Sequence, residues 1–184
     1  FFFNLFQRMI VSHKHKFVFV KTRKTAGTSL EIALSKICGS SDIITPIDTK
    51  DEELRKKLGN YGPQNYFVSP MYFTLKDWKK YIFEAERIEF YNHMPATEIK
   101  KYIGEKKWNS YYKFCFERNP FEKILSLYFF LRKMLSLKED INMFIESNSH
   151  VHSDFRLYSD ESGIIVDKIF KYEEFNTSLS EIED

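Results

Sequence analysis

FVFVKTRKTAGTSLEIALSKICG, residues 17–39, carries the clearest structural signal in this sequence. Its apolar start is rich in aromatic and β-branched residues, which predicts a buried strand over residues 16–21. Residues 24–29 follow as a polar turn, and Gly39 is placed to end a helix after them. Between these points, apolar side chains recur at helical spacing; they are those of Leu30, Ala33, Leu34 and Ile37. The turn therefore joins the end of a strand to the start of a helix.

This turn, KTAGTS, combines groups that bind anions. The first N–H groups of a helix have no acceptor within the helix, and they attract anions, phosphate above all. Gly27 lets the backbone approach a ligand closely, and Lys24 adds a mobile positive charge. Thr28 and Ser29 add hydroxyl donors. The turn predicts a site for a phosphate or sulfate-like group, and the alternative is a capped helix start with a solvated lysine. The nucleotide loop G-x-x-x-x-G-K-[ST] does not fit, because Lys24 precedes the glycine.

A second basic turn lies in CFERNPFEKILSLY, residues 115–128. Residues 111–117 predict a second strand, and the Asn119-Pro120 pair starts a strong helix. Arg118 offers a planar fork for a phosphate, and Ser126, eight positions later, offers a further donor. The alternative is a salt-bridged strand end followed by a tolerated helix serine. The apolar stripe predicted for this helix consists of Phe121, Ile124, Leu125, Tyr128 and Leu131.

The rest of the chain favours one α/β domain over residues 1–184. Residues 166–171 predict a third strand, and strands that alternate with helices indicate a largely parallel sheet. Shorter helices are predicted over residues 51–58, from residue 74, and over residues 95–103. Residues 147–163 are polar and predict irregular structure.

Composition limits the function classes. The chain has 28 basic and 26 acidic residues and a formal net charge of +2, so no overall field indicates nucleic-acid binding. Cys38 and Cys115 lie far apart, and we expect buried, reduced thiols, as is ordinary in the cytosol. No apolar run approaches the ~20 residues of a membrane span. These features predict a cytoplasmic protein with a docked segment over residues 1–15, or alternatively a weak membrane-surface anchor there.

Together, the two basic turns resemble the nucleotide-dependent sulfotransferases. KTAGTS is similar to their 5′-phosphosulfate loop, P-K-T-[AG]-G-T-S, and RNPFEKILSLY is similar to their 3′-phosphate motif, R-x-P-x-x-R-x-x-S-x-Y. NHMPATEIKKYIG, SYYKF and VDKIFKYEEF also resemble the carbohydrate and bacterial branch of that family. The similarity runs in the correct order from about residue 17 to residue 175.

The resemblance implies a P-loop-like, three-layer α/β fold with a central, mainly parallel sheet flanked by helices. It implies 3′-phosphoadenylyl sulfate (PAPS) as the donor and transfer of its sulfuryl group to a hydroxyl or amine of an acceptor such as a carbohydrate. Adenosine 3′,5′-bisphosphate (PAP) would be the product, and no metal would be needed. Residues 40–110 would supply an insert and helices on the acceptor side.

The family motifs also imply roles for individual residues. Lys24 would contact the bridging oxygen and stabilise the leaving phosphate, whereas Arg118 and Ser126 would bind the 3′-phosphate. The loop would hold the 5′-phosphate through backbone N–H and hydroxyl groups; its predicted donor-binding residues are Arg23, Lys24, Thr25, Ala26, Gly27, Thr28 and Ser29.

A base should take the acceptor proton, and His93 is the candidate because histidine titrates near neutral pH. The alternative for His93 is a helix-capping or core histidine. We expect His13 and His15 on the surface, and His150 and His152 are weaker candidates for the acceptor cleft. Four aromatic residues of the middle segment are expected in the core, with stacking on the acceptor as the alternative; they are Tyr66, Phe67, Tyr72 and Trp78.

Three residues depart from the family pattern. Arg23 stands where proline is common, and Lys123 and Lys171 stand where arginine is frequent. The two lysines keep the charge but lose the planar fork, which predicts weaker donor binding. Two other functions compete with sulfuryl transfer: a nucleotide-dependent phosphotransferase, and a catalytically silent module that binds a nucleotide or a sulfated glycan.

Overall fold

The computed structural model describes residues 9–135, 139–147 and 153–183. Strands and helices alternate along much of this length. In chain order the elements are β1 (Ile10–Ser12), β2 (Phe17–Phe19), α1 (Gly27–Ser35), β3 (Ile43–Ile44), α2 (Thr49–Lys57), α3 (Leu75–Phe83), α4 (Ala96–Ile103), α5 (Glu105–Ser110), β4 (Tyr112–Glu117), α6 (Pro120–Leu135), α7 (Ile141–Ser147), α8 (Phe155–Tyr158), β5 (Ser159–Asp160), β6 (Gly163–Ile164), β7 (Lys168–Lys171) and α9 (Phe175–Glu183).

Within the described residues, five strands form one sheet in the order β3-β1-β2-β4-β7. β2 pairs in parallel with β4, and β4 pairs in parallel with β7. β1 runs against both of its neighbours, β2 and β3. The sheet is therefore mixed, and its parallel part comes from the three strands that the sequence predicts. Because parallel strands end at the same edge, the segments after β2 and β4 meet there.

Side-chain alternation along β2 divides the core between the two faces of the sheet. Phe17 and Phe19 face α1 and α9, in a cluster that includes Leu30, Phe114 and Phe170. Val18 and Val20 face the other way, toward the cluster built on α4, whose buried members include Ile99, Ile103 and Trp108. Helices thus cover both faces, and the fold is mixed α/β, as the sequence predicts.

Local sequence explains where several helices begin and end. Thr74 and Asp77 form a capping box at the start of α3, with hydrogen bonds in both directions. Asp48 caps α2 by accepting a hydrogen bond from the N–H of Lys50. Gly104 ends α4 with φ 87°, a left-handed value that favours glycine.

Three sequence predictions are wrong in detail. In α1, Ala33 is exposed, and the buried face instead includes Glu31 and Ser35; Ile37 is also exposed and lies two residues beyond the end of the helix. In α6, Phe121 is 79% exposed and Leu125 is 39% exposed, because no described element covers that side of the helix. Of residues 147–163, predicted to be irregular, the described part from 153 onward is more regular than expected, since it contains α8, β5 and the start of β6.

Candidate active site at the ends of two parallel strands

The loop after β2 reaches α1 through two residues in a left-handed backbone conformation. Lys24 has φ 57° and Ala26, at the helix N-cap, has φ 54°. Non-glycine residues hold such values at a cost of about 1–3 kcal/mol each, and only when their surroundings fix them. The loop therefore has a defined shape before any ligand binds.

A buried lysine that the sequence analysis overlooked lies beneath this loop. The ammonium of Lys21 is 2.6 Å from a carboxylate oxygen of Glu31 on α1, and both side chains are buried. The Lys21 side chain packs against Gly27, and a Cβ added to this glycine would lie 2.5 Å from Lys21 Cε. A side chain at position 27 would therefore displace Lys21 from its contact with Glu31, which adds an internal reason for this glycine to the close approach of a ligand that the sequence predicts. Nothing in the sequence pattern indicated Glu31, because the apolar stripe predicted for α1 does not include position 31.

Lys24 projects toward α6. Its ammonium lies 4.1 Å from the centroid of the Phe130 ring, in a cation–π arrangement. Partial burial lowers the pKa of Lys24, and the nearby positive charge of Arg118 lowers it further. Lys24 is therefore a partly desolvated cation held against an aromatic ring, and an anion would interact with it strongly.

The two basic turns are in contact. Nη1 of Arg118 donates a hydrogen bond to the backbone carbonyl of Lys24 at 3.3 Å. The same guanidinium contacts Glu122, with nitrogen–oxygen distances of 3.2 and 3.3 Å, and lies over the ring of Tyr172 at 4.5 Å. The structure thus brings the loop after β2 and the turn after β4 to one place.

Ser126 lies between these two cationic groups on the surface of α6. Glu122, Ser126 and Phe130 are spaced by four residues, so they follow one another along one face of the helix. Arg118 contacts the first of the three and Lys24 contacts the last. The hydroxyl of Ser126, which is half-buried, is therefore part of the same surface.

The three hydroxyl-bearing residues of the loop, Thr25, Thr28 and Ser29, differ in burial and in hydrogen-bond partners. Thr25 is buried, and its hydroxyl bonds with the hydroxyl and the carbonyl oxygen of Thr22. The hydroxyl of Thr28 accepts a hydrogen bond from Lys21 at 3.3 Å, whereas Ser29 is exposed. A contact from Thr25 to a donor would therefore come from its backbone N–H, and Ser29 has the most accessible hydroxyl of the three.

Behind the loop lies a buried charge network. Asp154, which is fully buried, has one carboxylate oxygen 2.6 Å from the backbone nitrogen of Arg23 and 2.7 Å from the ammonium of Lys123. That ammonium is also 2.9 Å from a carboxylate oxygen of Glu117. Lys123 is therefore enclosed between two carboxylates, and it does not present its charge at the surface shared by Lys24 and Arg118. Asp154 lies in a polar segment without a recognisable pattern, so no sequence signal indicated it.

His93 lies beside the loop, bonded to the strand end. Its Nδ1 is 2.9 Å from the backbone carbonyl oxygen of Lys21, which can only accept, so Nδ1 carries the proton and Nε2 has the lone pair. His93 has φ 52°, which places it at a fixed turn just before α4. Burial lowers the pKa of His93 to about 4, and the positive charges of Lys21 and Arg23 act in the same direction. The imidazole is consequently neutral near pH 7.

The other histidines have different positions. His15 is exposed, and His13, expected on the surface, is half-buried with its Nδ1 2.7 Å from the hydroxyl of Tyr111. Both lie at the β1–β2 turn, at the end of β2 away from the loop. His150 and His152 lie outside the described residues.

Of the four aromatic residues expected in the core, Phe67 and Trp78 are exposed, so the prediction is wrong for these two, whereas Tyr66 and Tyr72 are partly buried against the core. Phe67 and Tyr72 line a small cavity that also includes His13, at the hairpin end of β2. Trp78 makes edge contacts with Phe73 and Tyr81 near α3. Lys171, the remaining departure from the family pattern, is exposed and lies 3.5 Å from Glu174.

Other features of the chain bear on cofactors and cysteines. Across the described ranges, no group of three or more His, Cys, Asp or Glu side chains is arranged to hold a metal ion. None of the helices in those ranges is long and apolar enough to cross a membrane. Cys38 and Cys115 are buried free thiols, as the sequence predicts, and burial raises the pKa of both.

The site thus brings together two basic strand ends, a helix start and a neutral histidine. Comparison with known proteins identifies the family to which it belongs. A family model described as "Sulfotransferase family" matches residues 7–182, nearly the whole chain. The protein belongs to the sulfotransferase family.

One curated relative gives a partial match. The chain is 33% identical over 98 residues to an uncharacterized protein of Archaeoglobus fulgidus, an alignment that covers 48% of this chain and 78% of the relative. No solved structure matches the chain. The family match therefore supports a sulfotransferase enzyme in general terms, and it leaves the donor and the acceptor to be inferred from the site.

Proposed function

We propose that this protein transfers the sulfuryl group of PAPS to a hydroxyl or amine of an acceptor, such as a carbohydrate, and releases PAP. The observation that carries the proposal is the contact between the two basic turns, in which Arg118 bonds to the backbone of Lys24 at 3.3 Å. PAPS has phosphate groups at the 5′ and the 3′ positions of one nucleoside. A donor of this kind needs two separate cationic positions at one surface, and the surface between Lys24 and Arg118 offers them.

The residues present fit such a donor. Lys24 and the N–H groups at the start of α1 would hold the 5′ side, where a helix N-terminus favours negative charge. Arg118 and Ser126 would hold the 3′-phosphate. Arg118 now contacts Glu122, whose side chain is 53% exposed, so a phosphate can replace this contact at little cost.

When bound, PAPS supplies an activated sulfuryl group and a phosphate leaving group, and negative charge develops on the oxygen between them. Lys24 stabilises that charge, because a cation that is already in place needs no reorganisation during the reaction. The left-handed conformation of Lys24 and Ala26 keeps the loop in one shape. The loop thus positions the donor and stabilises the charge on the leaving phosphate, and no covalent bond to the protein forms.

His93 is the base in this proposal. Its Nδ1–H is held by the carbonyl of Lys21, so the Nε2 lone pair is available to accept the acceptor's proton. The pKa of His93, about 4, lies below the near-neutral value on which the sequence prediction relied. It keeps Nε2 unprotonated throughout the neutral range, and it makes this imidazole a weaker base than a solvated histidine. Proton transfer from the acceptor increases its nucleophilicity as it attacks.

Thermal stabilisation by nucleotides tests the donor. PAP at a hundred times its dissociation constant should stabilise the protein by about 2.7 kcal/mol, and for a chain of this size that raises Tm by roughly 5–10 °C. ATP with magnesium should give a much smaller shift. Stabilisation by ATP–magnesium alone would favour a phosphotransferase and contradict the proposal.

A second experiment, a transfer assay, distinguishes an enzyme from a module that binds the nucleotide without catalysis. Labelled PAPS is incubated with a panel of sugars, phenols and amines, and transfer of label is measured. The proposal predicts transfer that is lost in Lys24→Ala. Binding of PAP without transfer to any acceptor would favour the silent module.

A further inference from the structure

We propose that Asp154 is a positioning residue that sets the place of Lys24 by anchoring the backbone of Arg23 and coupling it to α6 through Lys123. The inference rests on the proposed function, since it concerns the loop assigned to the donor's 5′ side. Asp154 belongs to neither of the two basic turns, and it reaches them from the segment just before α8.

Asp154 joins the two turns mainly through one oxygen, Oδ2, while its Oδ1 lies 3.6 Å from Nε of the Arg23 side chain. Its Oδ2 accepts a hydrogen bond from the N–H of Arg23 at 2.6 Å, one residue before Lys24. The same oxygen lies 2.7 Å from the ammonium of Lys123, on the first turn of α6. The loop after β2 and the helix after β4 are therefore held to one another by a carboxylate that water does not reach.

The bond to Arg23 is a strong one for its type. A hydrogen bond from an N–H to a carboxylate is charge-assisted, and burial strengthens it further. It fixes the Thr22–Arg23 peptide unit, which precedes Lys24 by one residue, and the backbone of Lys24 itself is left-handed. Proline has no N–H to donate, so a proline at position 23 could not make this bond. The departure from the family pattern at Arg23 is thus matched by a specific partner.

The bond between Arg23 and Asp154 controls the position of the Lys24 ammonium. Lys24 acts through charge, and the effect of a charge on a reacting group depends on its distance and orientation. If the Arg23 peptide moves, the Lys24 backbone and its contact with Arg118 move with it. Loss of Asp154 should therefore reduce turnover although Asp154 itself lies behind the loop.

The variant Asp154→Ala tests this inference, with Asp167→Ala as the control for loss of the same kinds of bond at a carboxylate that is 42% exposed. Asp167 likewise accepts a backbone N–H, that of Lys113 at 2.7 Å, and pairs with the Lys113 ammonium at 2.9 Å. Lys113 is near the start of β4, at the end away from the basic turns. We expect kcat with PAPS to fall about 10- to 100-fold in Asp154→Ala and to stay within about twofold of wild type in Asp167→Ala. Equal kcat in the wild type and Asp154→Ala would overturn the inference.

A double-mutant cycle between Asp154→Ala and Lys24→Ala shows whether Asp154 acts by positioning Lys24 or has a general structural effect. If Asp154 acts through Lys24, adding Asp154→Ala to Lys24→Ala should change kcat by no more than about twofold. A full additional loss in the double variant would contradict this role. If Asp154→Ala does not fold, Asp154→Ala/Lys123→Met removes the buried ammonium as well, and it is compared with Lys123→Met alone.

Hydrogen exchange gives a readout that does not depend on the donor. The amide of Arg23 should exchange at least about tenfold faster in Asp154→Ala than in wild type, because its acceptor is gone. The amide should be unaffected in Asp167→Ala. Unchanged protection of Arg23 would refute the anchor. Failure of the wild type to use PAPS, with the exchange result as expected, would refute the proposed function and leave the anchor intact.

Discussion

Acid should destabilise the folded protein through His93, by an amount that follows from its environment. Burial lowers the pKa of His93 from its ordinary value of 6.5 to about 4. In the unfolded chain the imidazole takes up a proton below pH 6.5, whereas in the folded protein it stays neutral until about pH 4. The unfolded state therefore binds more protons in this window, and stability falls as the pH falls from 6.5 to 4. A difference of this size corresponds to roughly 3 kcal/mol when the window is crossed completely.

Urea denaturation of the wild type and His93→Gln at pH 7 and pH 4.5 measures this contribution. The free energy of unfolding of the wild type should fall by about 2 kcal/mol more than that of His93→Gln between the two pH values. His15→Gln serves as the control, because it removes an exposed histidine at the other end of β2. Equal pH dependence in the wild type and His93→Gln would refute the claim that His93 is buried in its neutral form.

Protonation of His93 should also affect the pH dependence of catalysis. If His93 is the base, kcat/KM should be flat through neutral pH and should decline only as the pH approaches about 4. An acid limb centred near pH 6.5 would mean that the base is a more solvated group. His93→Gln should lose turnover while keeping the Tm shift given by PAP.

Other substitutions test the loop and its partners. Lys24→Ala should lower kcat with PAPS by at least about a hundredfold, measured by transfer of labelled sulfuryl group, because it removes the charge at the leaving oxygen. Gly27→Ala should lower the free energy of unfolding by about 1–3 kcal/mol in urea, because its Cβ would lie 2.5 Å from Lys21 Cε and would displace this buried ammonium from Glu31. Gly62→Ala is the control, because its Cβ would enter open space; equal effects of the two would contradict the tight contact at Gly27.

The sequence predicted the elements that carry the site because each has a strong local signal. The apolar run before Lys24, the glycine and hydroxyls after it, and Pro120 after Arg118 mark where strands end and helices begin. Two parallel strands then place both turns at one edge of the sheet. The contact between Arg118 and Lys24 follows from this topology, so the proximity of the two cations could be inferred before the structure was known.

The buried charges could not be predicted in the same way. Glu31 and Asp154 become buried only because Lys21 and Lys123 reach them from other elements. These pairings depend on tertiary packing, for which a single sequence has no periodic signal. The exposed side of α6 has a similar cause, because spacing shows that Phe121 and Ile124 lie near one another on the helix but not which of them meets the core.

The comparison of PAP with adenosine 5′-monophosphate tests most directly whether two basic turns bind opposite ends of one nucleotide. Calorimetric titration of both nucleotides is carried out with the wild type and Arg118→Ala. We expect the wild type to bind PAP about 10- to 100-fold more tightly than the monophosphate, the scale of one hydrogen-bonded charge pair, and Arg118→Ala to lose this preference. If Arg118→Ala kept the full preference for PAP, Arg118 would not hold the 3′-phosphate, and the proposed site would be wrong.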